Sequence, residues 1–152
     1  MFSTLHTNSA VATITRLFDL GLKPYVVATA LEGIIAQRLV RKICPDCRMP
    51  DTPSPELLAR LGPRFTQTTF AAFKGKGCER CHGGGYSGRI GLYEVLAFND
   101  KMRYLIADGA SVMEIIKLAE EMDSSTLIED GLDKVKRGMT TVEELLRVLG
   151  PQ

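Results

Sequence analysis

The chain of 152 residues has no tryptophan, only two histidines and only four cysteines. Its net charge of +1 gives no basic excess for a phosphate backbone, and with no tryptophan present both observations argue against nucleic acid as a partner. No apolar run reaches the roughly 18 residues of a membrane span. No basic segment followed by an apolar stretch marks a secretory signal, so paired cysteines read as a cytosolic metal site and not as disulfides. There is no Ser-His-Asp order, no pair of catalytic carboxylates and no phosphate-binding loop. Gly83-Gly84-Gly85 is not followed by the Gly-Lys-Ser/Thr that such a loop needs. What remains is the composition of a folded globular protein, 45% hydrophobic and 24% charged, long enough for one ordinary domain or two small ones.

The strongest chemical signal is the cysteines themselves. Cys44-Pro45-Asp46-Cys47 and Cys78-Glu79-Arg80-Cys81 are two Cys-x-x-Cys knuckles. One such turn aims two thiolates at a point, and two turns complete a tetrahedron around Zn²⁺. A full set of four leaves no open position for substrate, which favours a structural ion. Rubredoxin-like iron takes the same ligands, so ligand type leaves zinc and iron both open. A thioredoxin-like role needs one knuckle at a strand-to-helix turn, not two facing pairs. His82 follows Cys81 and reads as a neighbour, not a ligand. Glycines crowd the second knuckle at Gly75, Gly77, Gly83, Gly84 and Gly85.

Local patterns divide the chain into three consecutive parts. In residues 1–43, Phe2 to Leu5 reads as a strand. A helix follows from Ser9 to Leu20, capped by Thr7 or Asn8 and stopped by Gly21. Pro24 opens a second helix whose apolar positions Val26, Val27, Ala30, Leu31, Ile34 and Ile35 form a broad face. Gln37 and Arg38 sit at its end, with Arg41 and Lys42 making a solvated basic face beyond it. Leu39 to Ile43 reads as a strand. In residues 44–98, the proline-rich stretch Met49–Pro55 reads as a loop and Ser54 caps a short helix over Glu56–Leu61. Tyr86 to Leu96 reads as a strand. Residues 99–152 read as a small helical bundle. Asn99 caps its first helix, and capping boxes Ser111/Glu114, Thr126/Glu129 and Thr141/Glu144 open the others. Gly109, Gly138 and Gly150 stop them.

A second constellation is Ser3-Thr4-Leu5-His6-Thr7-Asn8. Polar residues between a strand and a helix N-terminus suit an anion such as phosphate. The same residues equally read as ordinary caps with His6 incidental.

Taken together these segments resemble the secretion ATPases, the traffic ATPases of type II secretion and type IV pilus assembly. Phe2-Ser3-Thr4-Leu5-His6-Thr7-Asn8-Ser9-Ala10 looks like their histidine box. The likeness runs through Gln37-Arg38-Leu39-Val40-Arg41, the two cysteine pairs, Gly85 to Leu96, and Gly138 to Val148, in order. The tetracysteine segment places the likeness with the assembly and secretion branch, because the retraction ATPases lack it. The resemblance implies an α/β fold: residues 1–43 as the end of a RecA-like core with a strand and two helices, 44–98 as a zinc lobe, and 99–152 as a helical bundle. It implies a parent that hydrolyses ATP with Mg²⁺ as a cytoplasmic homo-hexamer. Such a ring sits peripheral to the inner membrane and works with a membrane platform and cytoplasmic docking proteins. The P-loop and acidic motifs of the family lie before the histidine box. By resemblance, His6 contacts or senses the γ-phosphate, Thr4 and Thr7 hold its loop, and Cys44, Cys47, Cys78 and Cys81 hold structural Zn²⁺. Without the P-loop, these residues alone are expected not to hydrolyse ATP. The alternative is a stand-alone structural-zinc interaction module.

Overall fold

Ser9 opens helix α1, Ala10–Asp19, because its hydroxyl accepts the Ala12 amide at 3.1 Å. The computed structural model describes residues 1–62, 65, 70–122 and 124–150. After α1 come α2 (Pro24–Ala30), β1 (Gly33–Ile43), β2 (Arg48–Asp51), α3 (Pro55–Ala59), β3 (Ala72–Gly75) and β4 (Tyr86–Ala97). Four helices follow: α4 (Asp100–Ala107), α5 (Val112–Glu121), α6 (Leu127–Lys136) and α7 (Val142–Leu149). Among the described residues this is a small α/β protein with two two-stranded sheets, β1 with β4 and β2 with β3.

Four expectations need correction. Phe2 to Leu5 is not a strand, and neither sheet contains it. A lone extended segment has no ladder to hold it. The cap of α1 is Ser9, one or two residues later than expected. Helix α2 stops at Ala30, so Ile34, Ile35, Gln37 and Arg38 lie in β1. Ile34 is 9% exposed and Ile35 68%, the alternation of a strand with one covered face. Finally, Arg48–Asp51 is a strand although it holds Pro50. It pairs antiparallel with β3 in the register Met49↔Lys74 and Pro50↔Phe73. A two-stranded sheet has only edge strands, where proline is tolerated.

Other signals match the structure. Gly21 takes a φ of +86°, and Leu22 N–H donates to the Leu17 carbonyl at 3.2 Å, closing α1 in a Schellman turn. Pro24 stands in the first turn of α2, and Ser54 caps α3. Asn99 Oδ1 accepts the Met102 amide at 2.9 Å. Ser111 and Glu114 make the reciprocal capping box. Thr141 accepts the Glu144 amide at 3.2 Å, but the Glu144 carboxylate does not return to it. That carboxylate is drawn to two arginines.

The chain packs as two compact units, each built from two segments. The first takes residues 1–36 and 93–126, the second residues 37–92 and 127–152. Each long strand therefore gives one end to each unit, and the four C-terminal helices divide two and two. The core of the first unit includes Ile14, Val27, Ile34, Leu96, Met102, Ile106 and Ile115. Arg103 ties α4 to α2 by donating to the Ala28 carbonyl at 2.7 Å. The core of the second unit includes Val40, Leu58, Leu61, Leu92, Leu132, Val135, Val142 and Leu145. Each such side chain contributes about 1.5–3 kcal/mol when fully buried.

Candidate functional site

Strand β1 delivers Cys44 into a 3₁₀ turn over Pro45–Cys47, and a second 3₁₀ turn over Glu79–Cys81 follows Cys78. The knuckles are joined by backbone: Cys44 N–H donates to the Gly85 carbonyl at 2.9 Å and Lys76 N–H to the Cys47 carbonyl at 2.9 Å. The approach is closest at two glycines. A Cβ on Gly75 would lie 2.0 Å from the Gly85 carbonyl oxygen, and one on Gly85 would lie 2.6 Å from the Gly75 oxygen. No other residue type fits at either position.

All four sulfurs lie within 4.8 Å of one another. The separations Cys44–Cys78 and Cys47–Cys81 are 3.8 Å, and Cys78–Cys81 is 3.7 Å. Four sulfurs held about 2.3 Å from a central ion at tetrahedral angles lie about 3.8 Å apart, so the site has the dimensions of a metal-thiolate centre. The four cysteines can hold a metal ion, and the geometry is compatible with zinc. His82 is not among the group; it is exposed and ends the second turn at a φ of +50°.

Backbone amides already prepare the sulfurs for negative charge. Cys81 Sγ accepts from the Cys78 and Gly85 amides, each at 3.2 Å, and Cys47 Sγ accepts from Gly77 at 3.3 Å. The Cys78 amide, with help from Gly85, holds the Cys81 thiol down to about 6. Desolvation pushes the Cys47 thiol up to about 11. One thiolate thus forms readily while its desolvated neighbour resists, because burial disfavours the charged form. A divalent cation removes that conflict and lets all four ionise.

The histidine segment lies in the other unit. His6 and Thr4 are exposed and Thr7 is half-buried. His6, Thr7, Asn8 and Ser9 line one side of an open hollow of about 550 Å³, with Arg16, Val112 and Ile116 among the rest. Thr7 Oγ1 lies 2.7 Å from Thr13 Oγ1, fixing the segment against α1. Sequence reasoning missed the residue that fixes the start of that helix. Glu94 Oε1 accepts the Ala10 amide at 2.8 Å. A carboxylate at a helix N-terminus also matches the helix dipole.

A second missed group sits beside the metal unit's core. Glu144 is 1% exposed and accepts from both Arg41 and Arg147. The Arg41 amide donates at 2.8 Å, its Nη2 at 2.7 Å, and Arg147 Nε at 2.7 Å. Desolvation opposes ionisation here, but the hydrogen bonds from Arg147 and Arg41 outweigh it and hold the carboxyl at about 2. The Arg41 guanidinium also stacks 4.3 Å from the Tyr86 ring, and Tyr86 Oη lies 2.8 Å from Thr141 Oγ1. The spacing Glu144–Arg147 was visible as a helical pair; the partnership with Arg41, 103 residues away, was not.

The family described as "Type II/IV secretion system protein" matches residues 1–147. The chain is 44% identical over 147 residues to "Type IV pilus assembly ATPase PilB" of Thermus thermophilus, covering 96% of this chain and 16% of that protein. It is 44% identical over 150 residues to "Type II secretion system protein E" of Pseudomonas aeruginosa, covering 97% and 29%. Against "Type IV pilus assembly ATPase PilB" of Myxococcus xanthus the identity is 38% over 153 residues, covering 99% and 27%. The chain therefore spans less than a third of the length of each of these relatives.

Proposed function

The chain belongs to the type II/IV secretion system protein family, and from that membership we propose that it forms the C-terminal region of a hexameric ATPase driving type II secretion or type IV pilus assembly. The match over residues 1–147 carries the reading, since it covers histidine segment, cysteines and helices together. In this reading residues 1–43 are the end of a RecA-like core, 44–98 a zinc lobe and 99–152 the helical remainder. The ring is cytoplasmic and docks on an inner-membrane platform through cytoplasmic partner proteins. No helix among the described residues is long and apolar enough to cross a membrane.

His6 senses the γ-phosphate, with Thr4 and Thr7 supporting it. The exposed imidazole stands just before a helix N-terminus, where an anion is favoured. Loss of a phosphate contact there releases a segment tied to α1, a change of the kind that biases a two-state element. Bound ATP and Mg²⁺ supply the phosphoryl chemistry, and the residues that carry it out lie outside these 152, which contain no P-loop. Cys44, Cys47, Cys78 and Cys81 hold a structural Zn²⁺ that staples the lobe and leaves no open position for chemistry.

The test exchanges residues 1–147 for the matching segment of the Thermus thermophilus relative and follows ATP hydrolysis. Hydrolysis is expected to persist in the exchange and to fall steeply with His6→Ala. An active exchange indifferent to His6→Ala would remove the sensing role. Turnover by the 152 residues alone, abolished by His6→Ala, would overturn the assignment of catalysis elsewhere.

A further inference from the structure

Resting on the reading of the cysteines as a zinc site, we infer that Asp46 and Arg80 form a clasp across the two knuckles that slows loss of the metal. Each is an internal residue of its own Cys-x-x-Cys turn, and the two are 34 positions apart in sequence. Arg80 Nη1 donates to Asp46 Oδ1 at 3.0 Å and Oδ2 at 2.9 Å. No other side-chain ion pair among the described residues links one knuckle to the other.

The charge pattern of the sulfurs explains why a cation belongs there. Four thiolates around one Zn²⁺ leave a net charge near −2 on the centre. Amide donors offset this unevenly. Cys81 receives two, Cys47 one, and Cys78 one from Cys81. Cys44 Sγ receives none among the described residues. Arg80 stands in the second turn between the ligands Cys78 and Cys81, and Asp46 in the first between Cys44 and Cys47. Asp46 holds the guanidinium in that place.

The pair is half open to water, with Arg80 66% and Asp46 40% exposed, so its effect on folding is small. Its effect on the metal is different in kind. Zinc leaves when the knuckles part, and the clasp is made only while they are together. Groups that hydrogen-bond metal ligands typically alter metal affinity 10- to 100-fold; for an exposed pair that bridges the turns without touching a sulfur, the lower end, about tenfold, is the ceiling.

The experiment loads the full chain with zinc and follows its transfer to a chromophoric chelator. Asp46→Asn and Arg80→Gln should each release zinc faster, by up to about tenfold, with one zinc bound per chain at the start and an unchanged melting temperature. Arg80→Lys should fall between them and the unaltered chain, because a lysine keeps the charge but is a strongly hydrated point charge on a more flexible stem. The reversed pair, Asp46→Arg with Arg80→Asp, should recover slow release. Variants that bind one zinc and release it at the original rate would overturn the clasp and leave the zinc reading standing. An unaltered chain that binds no zinc would overturn both.

Discussion

Glu94 accepts the backbone N–H of Ala10 at 2.8 Å, across 84 residues of sequence. Two segments that look like separate family motifs thereby meet at one helix N-terminus. The histidine segment is positioned from behind by a carboxylate on β4, and not only by its own threonines. Removing that carboxylate should loosen the segment without touching His6.

Glu94→Ala should therefore cost about 1 kcal/mol, the value of a helix cap. Hydrogen exchange should quicken at Ala10 to Thr13 and stay unchanged in the cysteine knuckles. Unchanged exchange at Ala10 would show that the carboxylate does not hold the helix.

Metal removal should act locally. Chelation, or Cys→Ser at 44, 47, 78 or 81, should cost the lobe most of its stability, since structural zinc supplies on the order of 10 kcal/mol in small zinc peptides. Amide protection at residues 40–48 and 75–92 should collapse, while Ile14, Met102 and Ile106 keep theirs. Protection that survives complete chelation in both regions would rule out the staple.

Acid should act through Glu144. Its folded value near 2 lies below the ordinary 4.5, so the folded state binds that proton less well. The resulting stability is complete above about 4.5 and is lost as pH falls from about 4.5 to about 2. Its upper bound is about 3 kcal/mol, reduced by solvent around the exposed ends of Arg41 and Arg147. In urea melts, Glu144→Gln should lower stability at pH 7 and flatten that acid limb. A variant with the same acid limb as the parent would assign the limb to other groups.

Two glycines of the second knuckle should respond differently to the same change. Gly75→Ala meets the Gly85 carbonyl at 2.0 Å and should abolish stoichiometric zinc binding. Gly83→Ala has nothing within 4 Å of the new methyl, and only its φ of +77° resists. It should cost about 1–2 kcal/mol and keep the metal. Equal zinc content in the two variants would show that close backbone approach is not what the site needs.

The cysteine cluster was readable because two short turns of fixed spacing leave little geometric choice. Caps at Ser54, Asn99 and Ser111 were readable because they are local. The failures share a cause, which is competition from distant partners. Thr141 and Glu144 spell a capping box, yet two arginines outbid the backbone for the carboxylate. Val26 to Ile35 is apolar enough for a helix or a strand, and pairing of β1 with β4 decides for a strand from Gly33 onward. Pro50 reads as loop until β3 is seen beside it. Asp46 and Arg80 pair across 34 residues, a distance no local pattern spans.

The two-segment build of each unit sets an order of events during synthesis. All four cysteines have emerged before Leu127, Leu132, Val135, Val142, Leu145 and Leu146 exist, and these supply more than half of the second unit's buried cluster. The nascent chain therefore has all four cysteines in hand while most of that core is still missing. A peptide of residues 44–98 reproduces that early stage and keeps only Leu58, Leu61, Ala72 and Leu92 of the cluster. The ligand set is thus complete before the late helices that finish the core.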